Sequence, residues 1–174
     1  LCVASELSGD PSAEAPAPRT TAAPADDDGG GGGARATHSL RVRVHSDGEV
    51  VLLSETAVSA ECPSLPRVGL AFELSADLGA VGYYGRGPHE NYPDRCDGAR
   101  LAEFSTSVDA LLTPYLVPSE CGYRTGARWV ELTDGSGAGV RVAAAGAPFG
   151  FSALRHDAAE LLRVHVLASS DPAE

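Results

Sequence analysis

At 174 residues with 43% hydrophobic content, the chain is the size of one domain and holds enough apolar material for a buried core. Its 13 basic against 24 acidic residues give a net charge of −11, which repels a nucleic-acid backbone or an anionic membrane surface and sets both aside as partners. No apolar run approaches the ~18 residues of a spanning helix and no charged segment leads into an apolar one at the start, so no targeting segment is visible and a cytoplasmic location is favoured.

Met, Lys, Ile and Gln are absent, and Asn91 is the single Asn. Together with the excess of Ala, Gly, Pro and Arg, this is the signature of GC-rich coding. A start of Leu1-Cys2-Val3, without Met, leads us to expect a piece of something longer. Cys2, Cys62, Cys96 and Cys121 form no CxxC pair and have no His at zinc-finger spacing, so free thiols are expected rather than a structural metal.

In chain order, residues 1–36 join an Ala/Pro/Ser stretch, the run Asp26-Asp27-Asp28 and five glycines, Gly29 to Gly33. Such a segment buries too little apolar surface to offset its ordering entropy, and it reads as a disordered linker or insertion before a domain spanning 37–174. Leu40, Val42 and Val44 then alternate with Arg41, Arg43 and His45, the period of a half-buried strand. Asp47-Gly48 predicts a two-residue type I′ turn into a strand from Val50 to Leu53.

Val68, Leu70, Phe72 and Leu74 predict the next strand, with Val81 to Tyr84 pairing back against it across the Asp77–Gly79 turn. Arg128–Thr133, the turn Asp134–Gly139, Val140–Ala143 and Phe149–Leu154 follow as strands. Only Asp157–Val166 reads as helical, with Asp157 as cap and Glu160 completing a capping box. The expected fold is an all-β antiparallel sandwich with one short helix near the C-terminus.

The longest turn-rich stretch is Gly85-Arg86-Gly87-Pro88-His89-Glu90-Asn91-Tyr92-Pro93-Asp94-Arg95. Its glycines reach backbone angles closed to other residues, its prolines stiffen what lies between, and its polar groups suit a binding edge. The bland reading is a loop knitted by ion pairs among Glu90, Asp94 and Arg95. Seven of ten aromatics, Tyr83, Tyr84, Tyr92, Phe104, Tyr115, Tyr123 and Trp129, lie between positions 83 and 129. Aromatic faces beside carboxylates suit sugars, though core packing is the better reading for Phe104 and Trp129.

Other constellations are weaker. Gly85-Arg86-Gly87 lacks the following helix of a phosphate loop, no nucleophile-elbow spacing is present, and His89, Glu90 and Asp94 make a poor metal site. Glu90, Asp94, Asp97, Glu103 and Glu120 supply carboxylates, but glycoside hydrolysis needs two of them about 5 to 9.5 Å apart.

Four stretches in order, Leu65-Pro-Arg-Val-Gly69, Gly85 to Arg95, Thr113-Pro-Tyr-Leu-Val-Pro-Ser-Glu120 and Pro148-Phe-Gly-Phe-Ser152, resemble the C-terminal β-sandwich domain, or small chain, of glycoside hydrolase family 2 β-galactosidases. The resemblance runs from about Thr37 to Val166. It implies a galactose mutarotase-like supersandwich docked beside a catalytic (β/α) barrel or large chain, with homo-oligomerisation as a further expectation. It also implies an active-site-bordering, substrate-binding loop of Gly87, Pro88, His89, Glu90, Asn91, Tyr92, Asp94 and Arg95. Gly87 would be its hinge, Glu90 a polar contact near the sugar, and Asn91, Tyr92, Asp94 and Arg95 its framework.

The catalytic acid/base and nucleophile, both Glu, would sit on the barrel, with Mg²⁺ and Na⁺ in the complete enzyme and no catalytic residue, metal or cofactor in this chain. Glu120-Cys121-Gly122 departs from the usual Glu-Asn-Gly, the linker is foreign to the pattern, and the family pattern continues past Glu174, so an incomplete sandwich is expected. The function expected is a non-catalytic part of a β-galactosidase acting on terminal β-D-galactosides. The alternatives are a free-standing carbohydrate-binding or aldose-epimerase-like module, using His89 and Glu90 as acid and base, and a fragment without function of its own.

Overall fold

The computed structural model describes residues 36–60, 67–117 and 119–156, together with the backbone of Cys2–Ala4. Ten strands and one short helix are assigned there: β1 Cys2–Ala4, β2 Ala36–Val44, β3 Val50–Val58, β4 Leu70–Ala71, β5 Ala80–Gly87, β6 Arg100–Ser107, α1 Val108–Leu111, β7 Arg124–Ala127, β8 Trp129–Thr133, β9 Gly139–Ala143 and β10 Phe149–Ser152. All pairings are antiparallel. The chain divides into two compact units, residues 7–68 and residues 1–6 with 69–174. The predicted helix over Asp157–Val166 lies outside the described residues, as does most of the predicted linker; Cys2–Ala4, at the head of that linker, runs as a strand between β4 and β10.

In the first unit β2 and β3 form a hairpin in register from Ala36↔Val58 to Val44↔Val50. Two expectations change here. The strand is not half-buried: Val42 is 52% and Val44 75% exposed, because alternation shows that a strand has an apolar face but not what covers it. The turn is also not type I′. Gly48 alone has positive φ (93°), its N–H donates to the His45 carbonyl (3.1 Å), and His45 N–H donates to the Glu49 carbonyl (2.8 Å). That is a three-residue loop ending in a left-handed glycine, and Asp47 serves it through its side chain, which accepts from Glu49 N–H at 3.1 Å.

The second unit is a sandwich of two four-stranded sheets, β4-β1-β10-β7 and β6-β5-β8-β9. Its core takes Val81 and Tyr83 from β5, Val130 and Leu132 from β8, Ala127 from β7, and Phe149 and Phe151 from β10. The Tyr83 ring meets Phe151 edge-on at 5.2 Å and Phe104 at 5.1 Å, so one side chain ties β5 to the facing sheet and to its own neighbour. Val108 and Leu111 of α1 close one end of this core, and Ser107 caps that helix by accepting from Ala110 N–H at 3.2 Å. The sequence reading had no helix there, since four residues are too short for a period to register.

β8 and β9 form the hairpin expected from the Gly/Asp-rich turn. Asp134 Oδ1 accepts from Ser136 Oγ (2.7 Å), Ser136 N–H (2.8 Å) and Ala138 N–H (3.0 Å), and these bonds hold its carboxyl below the ordinary value. The strand predicted over Val68–Leu74 shrinks to the two residues of β4, with Phe72 and Leu74 packing on the core from irregular backbone. Nor does β5 pair with it. Its partners are β6, over eight consecutive residues from Ala80↔Ser107 to Gly87↔Arg100, and β8. The long match offered by β6 satisfies one edge of β5 over its whole length and β8 meets the other, which a two-residue strand cannot do.

Candidate functional site

Gly85, Arg86 and Gly87, read from sequence as loop, are the last residues of β5. Gly87 faces inward, where a Cβ would collide with the Tyr83 hydroxyl and lie 3.0 Å from the Phe104 ring. The glycine therefore makes room for an aromatic pair, and its φ is not positive. A cis Gly87–Pro88 bond then turns the chain out of the sheet, leaving Pro88 and His89 exposed.

Asn91 is 1% exposed and uses its whole hydrogen-bonding capacity. Its amide nitrogen donates to the carbonyls of Arg86 (3.1 Å) and His89 (3.0 Å), while its amide oxygen accepts from Thr125 N–H (3.0 Å) and Thr125 Oγ1 (2.6 Å). Its backbone N–H donates to the Tyr123 carbonyl at 2.8 Å. One side chain thus replaces the missing ladder where the loop leaves β5 and fixes it to the start of β7.

The Glu90 carboxylate is equally committed. Oε2 accepts from Gly122 N–H (2.7 Å) and Thr113 Oγ1 (2.8 Å); Oε1 accepts from the Tyr115 hydroxyl and pairs with Arg95 at 3.3 Å. All four lone-pair directions are filled, so Glu90 is a latch between the loop and residues 113–122. Gly122 (φ 76°) supplies the bend that aims its N–H at the latch, and a Cβ there would lie 2.8 Å from the Leu111 carbonyl. Arg95 also lies over the Tyr92 ring at 4.4 Å, and Tyr92 stacks on Tyr123 at 5.3 Å. The buried Tyr92 hydroxyl has no acceptor in reach among the described residues. Burial, reinforced by the Glu90 and Glu120 carboxylates, pushes it up to about 12.

Between the loop, β6 and residues 110–114 lies a cleft of about 420 Å³. His89 and Glu90 line it with the hydroxyl-bearing Ser105, Thr106 and Thr113, the rings of Tyr83 and Phe104, and Arg124. Arg124 is 4% exposed; Nη1 donates to the Gly122 (2.7 Å) and Leu111 (3.1 Å) carbonyls and Nη2 to that of Pro88 (3.2 Å), which also accepts from the Tyr83 hydroxyl (3.3 Å). Burial raises the Tyr83 hydroxyl above its ordinary value, with the Arg124 guanidinium opposing. The half-buried Phe104 ring, the hydroxyls and one imidazole around an open cleft offer an apolar face and hydrogen bonds to a polyhydroxylated ligand.

Of the sequence-predicted residues, Pro88, His89 and Glu90 line the cleft, Gly87 and Asn91 build its support, and Tyr92 and Arg95 brace the loop outside it, while Asp94 is exposed. The ion-paired reading of the loop is realised between Glu90 and Arg95. Phe104 packs against the core as expected, but Trp129 alternates with the buried Val130 and so points the other way, under the Arg141 guanidinium at 4.2 Å. Arg124 and Thr125 were missed, because an Arg on a strand reads as surface until its carbonyl partners are known. Among the described residues no group of three or more His, Cys, Asp or Glu side chains converges, so His89, Glu90 and Asp94 offer no donor set for a metal. Cys121 is a buried free thiol and Cys96 a partly buried one.

Over residues 18–167 the chain matches the family described as beta galactosidase small chain. It is 43% identical to a beta-galactosidase of Priestia megaterium over 99 residues, 57% of this chain and 10% of that protein. It is 41% identical to one of Vibrio cholerae over 92 residues (53% and 9%), and 32% identical to one of Streptococcus thermophilus over 119 residues (68% and 12%). The chain thus spans about a tenth of the length of these relatives. A match over so much of the chain, on a sandwich whose loop is locked by the residues that carried the resemblance, makes this protein a member of the beta-galactosidase small chain family.

Proposed function

We propose that this chain is the accessory sandwich of a retaining glycoside hydrolase family 2 β-galactosidase, built on a galactose mutarotase-like fold and working on terminal β-D-galactosides beside a catalytic barrel. The observation that carries this reading is the cleft, which combines the Phe104 ring, hydroxyls and His89 beside a loop immobilised by Asn91 and Glu90. The beta-galactosidase names of relatives of which the matched residues make up about a tenth support it.

In this reading the two catalytic carboxylates, about 5 Å apart as retention requires, belong to the barrel. This chain contributes position. The half-buried Phe104 offers its ring to the C–H side of a sugar while the buried Tyr83 backs it from the core, Ser105, Thr106 and Thr113 meet the sugar hydroxyls, His89 sits at the open edge, and Arg124 keeps Pro88 and residues 111–122 in register. Glu90 acts through the loop it latches. Mg²⁺ and Na⁺ belong, in this reading, to the complete enzyme; the described residues do not fit them, and no step here runs through them. The epimerase-like alternative needs Glu90 as an acid or base, whereas its carboxylate is already shared among four donors.

The test is a chimera in which residues 69–156 replace the matching region of the Priestia megaterium enzyme. Turnover of a β-galactoside, with His89→Ala raising KM more than it lowers kcat, is the expected result. A folded chimera without turnover, or anomer interconversion of galactose by the 174-residue chain, would overturn the reading.

A further inference from the structure

Directly beside the cleft, one stretch of chain breaks the usual pattern of a surface. Of the six residues Leu112-Thr113-Pro114-Tyr115-Leu116-Val117, four are large, apolar and exposed: Leu112 at 42%, Tyr115 at 40%, Val117 at 52% and Leu116 at 100%. Single exposed apolar residues are ordinary, but a contiguous run of them marks an interaction surface. The run is also held rather than loose. Thr113 and Tyr115 both donate to the Glu90 carboxylate, Tyr115 N–H donates to the Thr113 carbonyl at 2.9 Å, and Gly122 beyond it is pinned to the same carboxylate. Preorganising an apolar ridge in this way lowers the entropy cost of covering it.

We propose that this ridge is the surface on which the catalytic part of the β-galactosidase docks, and that docking roofs the cleft. The inference rests on the functional reading above. Its occupant is chosen by what the chain lacks: about nine-tenths of the length of its relatives lies outside the residues matched here, whereas the cleft opens along Leu112, Thr113 and Pro114, the first half of the ridge. A partner seated on Leu116 and Val117 therefore also borders the open side of the site. Water leaving the cleft on docking would strengthen the polar contacts of His89 and Thr113 to a bound sugar.

The experiment compares a single thiol in two settings. Leu116→Cys is made in the 174-residue chain and in the chimera, and its maleimide labelling is followed by peptide mass. In the isolated chain labelling should be fast, and in the chimera at least about tenfold slower, as for a residue in a dry interface core. Equal rates in the two would overturn the proposal. So would slow labelling in the isolated chain that speeds up when residues 157–174 are removed, because the cover would then be the chain's own tail. The labelling is read whether or not the chimera is active. An inactive chimera with a protected thiol counts against the functional reading alone, and an active chimera with an unprotected thiol against the docking surface alone. A second variant, Leu116→Asp, should lower kcat/KM of the chimera about tenfold while leaving the melting of the isolated chain unchanged.

Discussion

At the scale of single residues, the site depends on polar groups whose capacities are filled to the last lone pair. Asn91 shows this most sharply, because replacing its amide by the isosteric carboxylate removes two donors and turns an acceptor toward the Arg86 and His89 carbonyls. Asn91→Asp is expected to cost about 2–4 kcal/mol in urea unfolding, and a loss below about 0.5 kcal/mol would show that the loop is held by other means. Tyr92 makes the opposite case, a buried hydroxyl without an acceptor among the described residues. Its folded-state value of about 12 lies above the ~10 of an unfolded phenol, so its contribution is complete below pH ~10 and is lost as pH rises toward 12. Thermal melts should fall between pH 10 and 12, and Tyr92→Phe should flatten that decline while leaving stability at pH 7 unchanged or higher. A variant with the parent's alkaline slope would assign the decline to other groups.

At the scale of elements, Gly87 decides between two views of the loop's base. As a hinge it would tolerate alanine structurally and change only motion. As the inward residue of β5 facing Tyr83 and Phe104, it should not, and Gly87→Ala is expected to destabilise by about 1–3 kcal/mol through overpacking. A melting temperature equal to the parent's, with altered kinetics in the chimera, would restore the hinge. Local patterns also explain which elements were readable. The β8–β9 hairpin was legible because Asp134, Ser136 and Gly137 encode the turn within five residues. The partner of β5 was not, since the eight-residue register with β6 links positions that are separated by the entire loop.

For the whole molecule, the sandwich gathers the site from three distant segments: the loop after β5, β6 with the residues that follow it, and the start of β7. The 174-residue chain by itself is expected to hydrolyse no β-galactoside, measured with a chromogenic galactoside over hours; turnover surviving purification from a host lacking its own β-galactosidase would mean that the chemistry lies in these residues after all. Val42 and Val44 of the β2–β3 hairpin and, in the other unit, Leu116 and Val117 are exposed apolar side chains.

The amino-acid sequence by itself determined the all-β class, most strands, the places of the hairpin turns and the stretch from Gly87 to Arg95 that borders the candidate site, because period-two alternation, Gly/Asp turn chemistry and an ordered set of short motifs are local properties. Only the tertiary structure decided that Glu90 is a latch rather than a free carboxylate, that Arg124 is buried on three carbonyls, and that Trp129 faces away from the core. Those outcomes depend on which backbone groups are left without ladder partners when the sheets close, and that is settled by contacts between residues 20 to 40 positions apart.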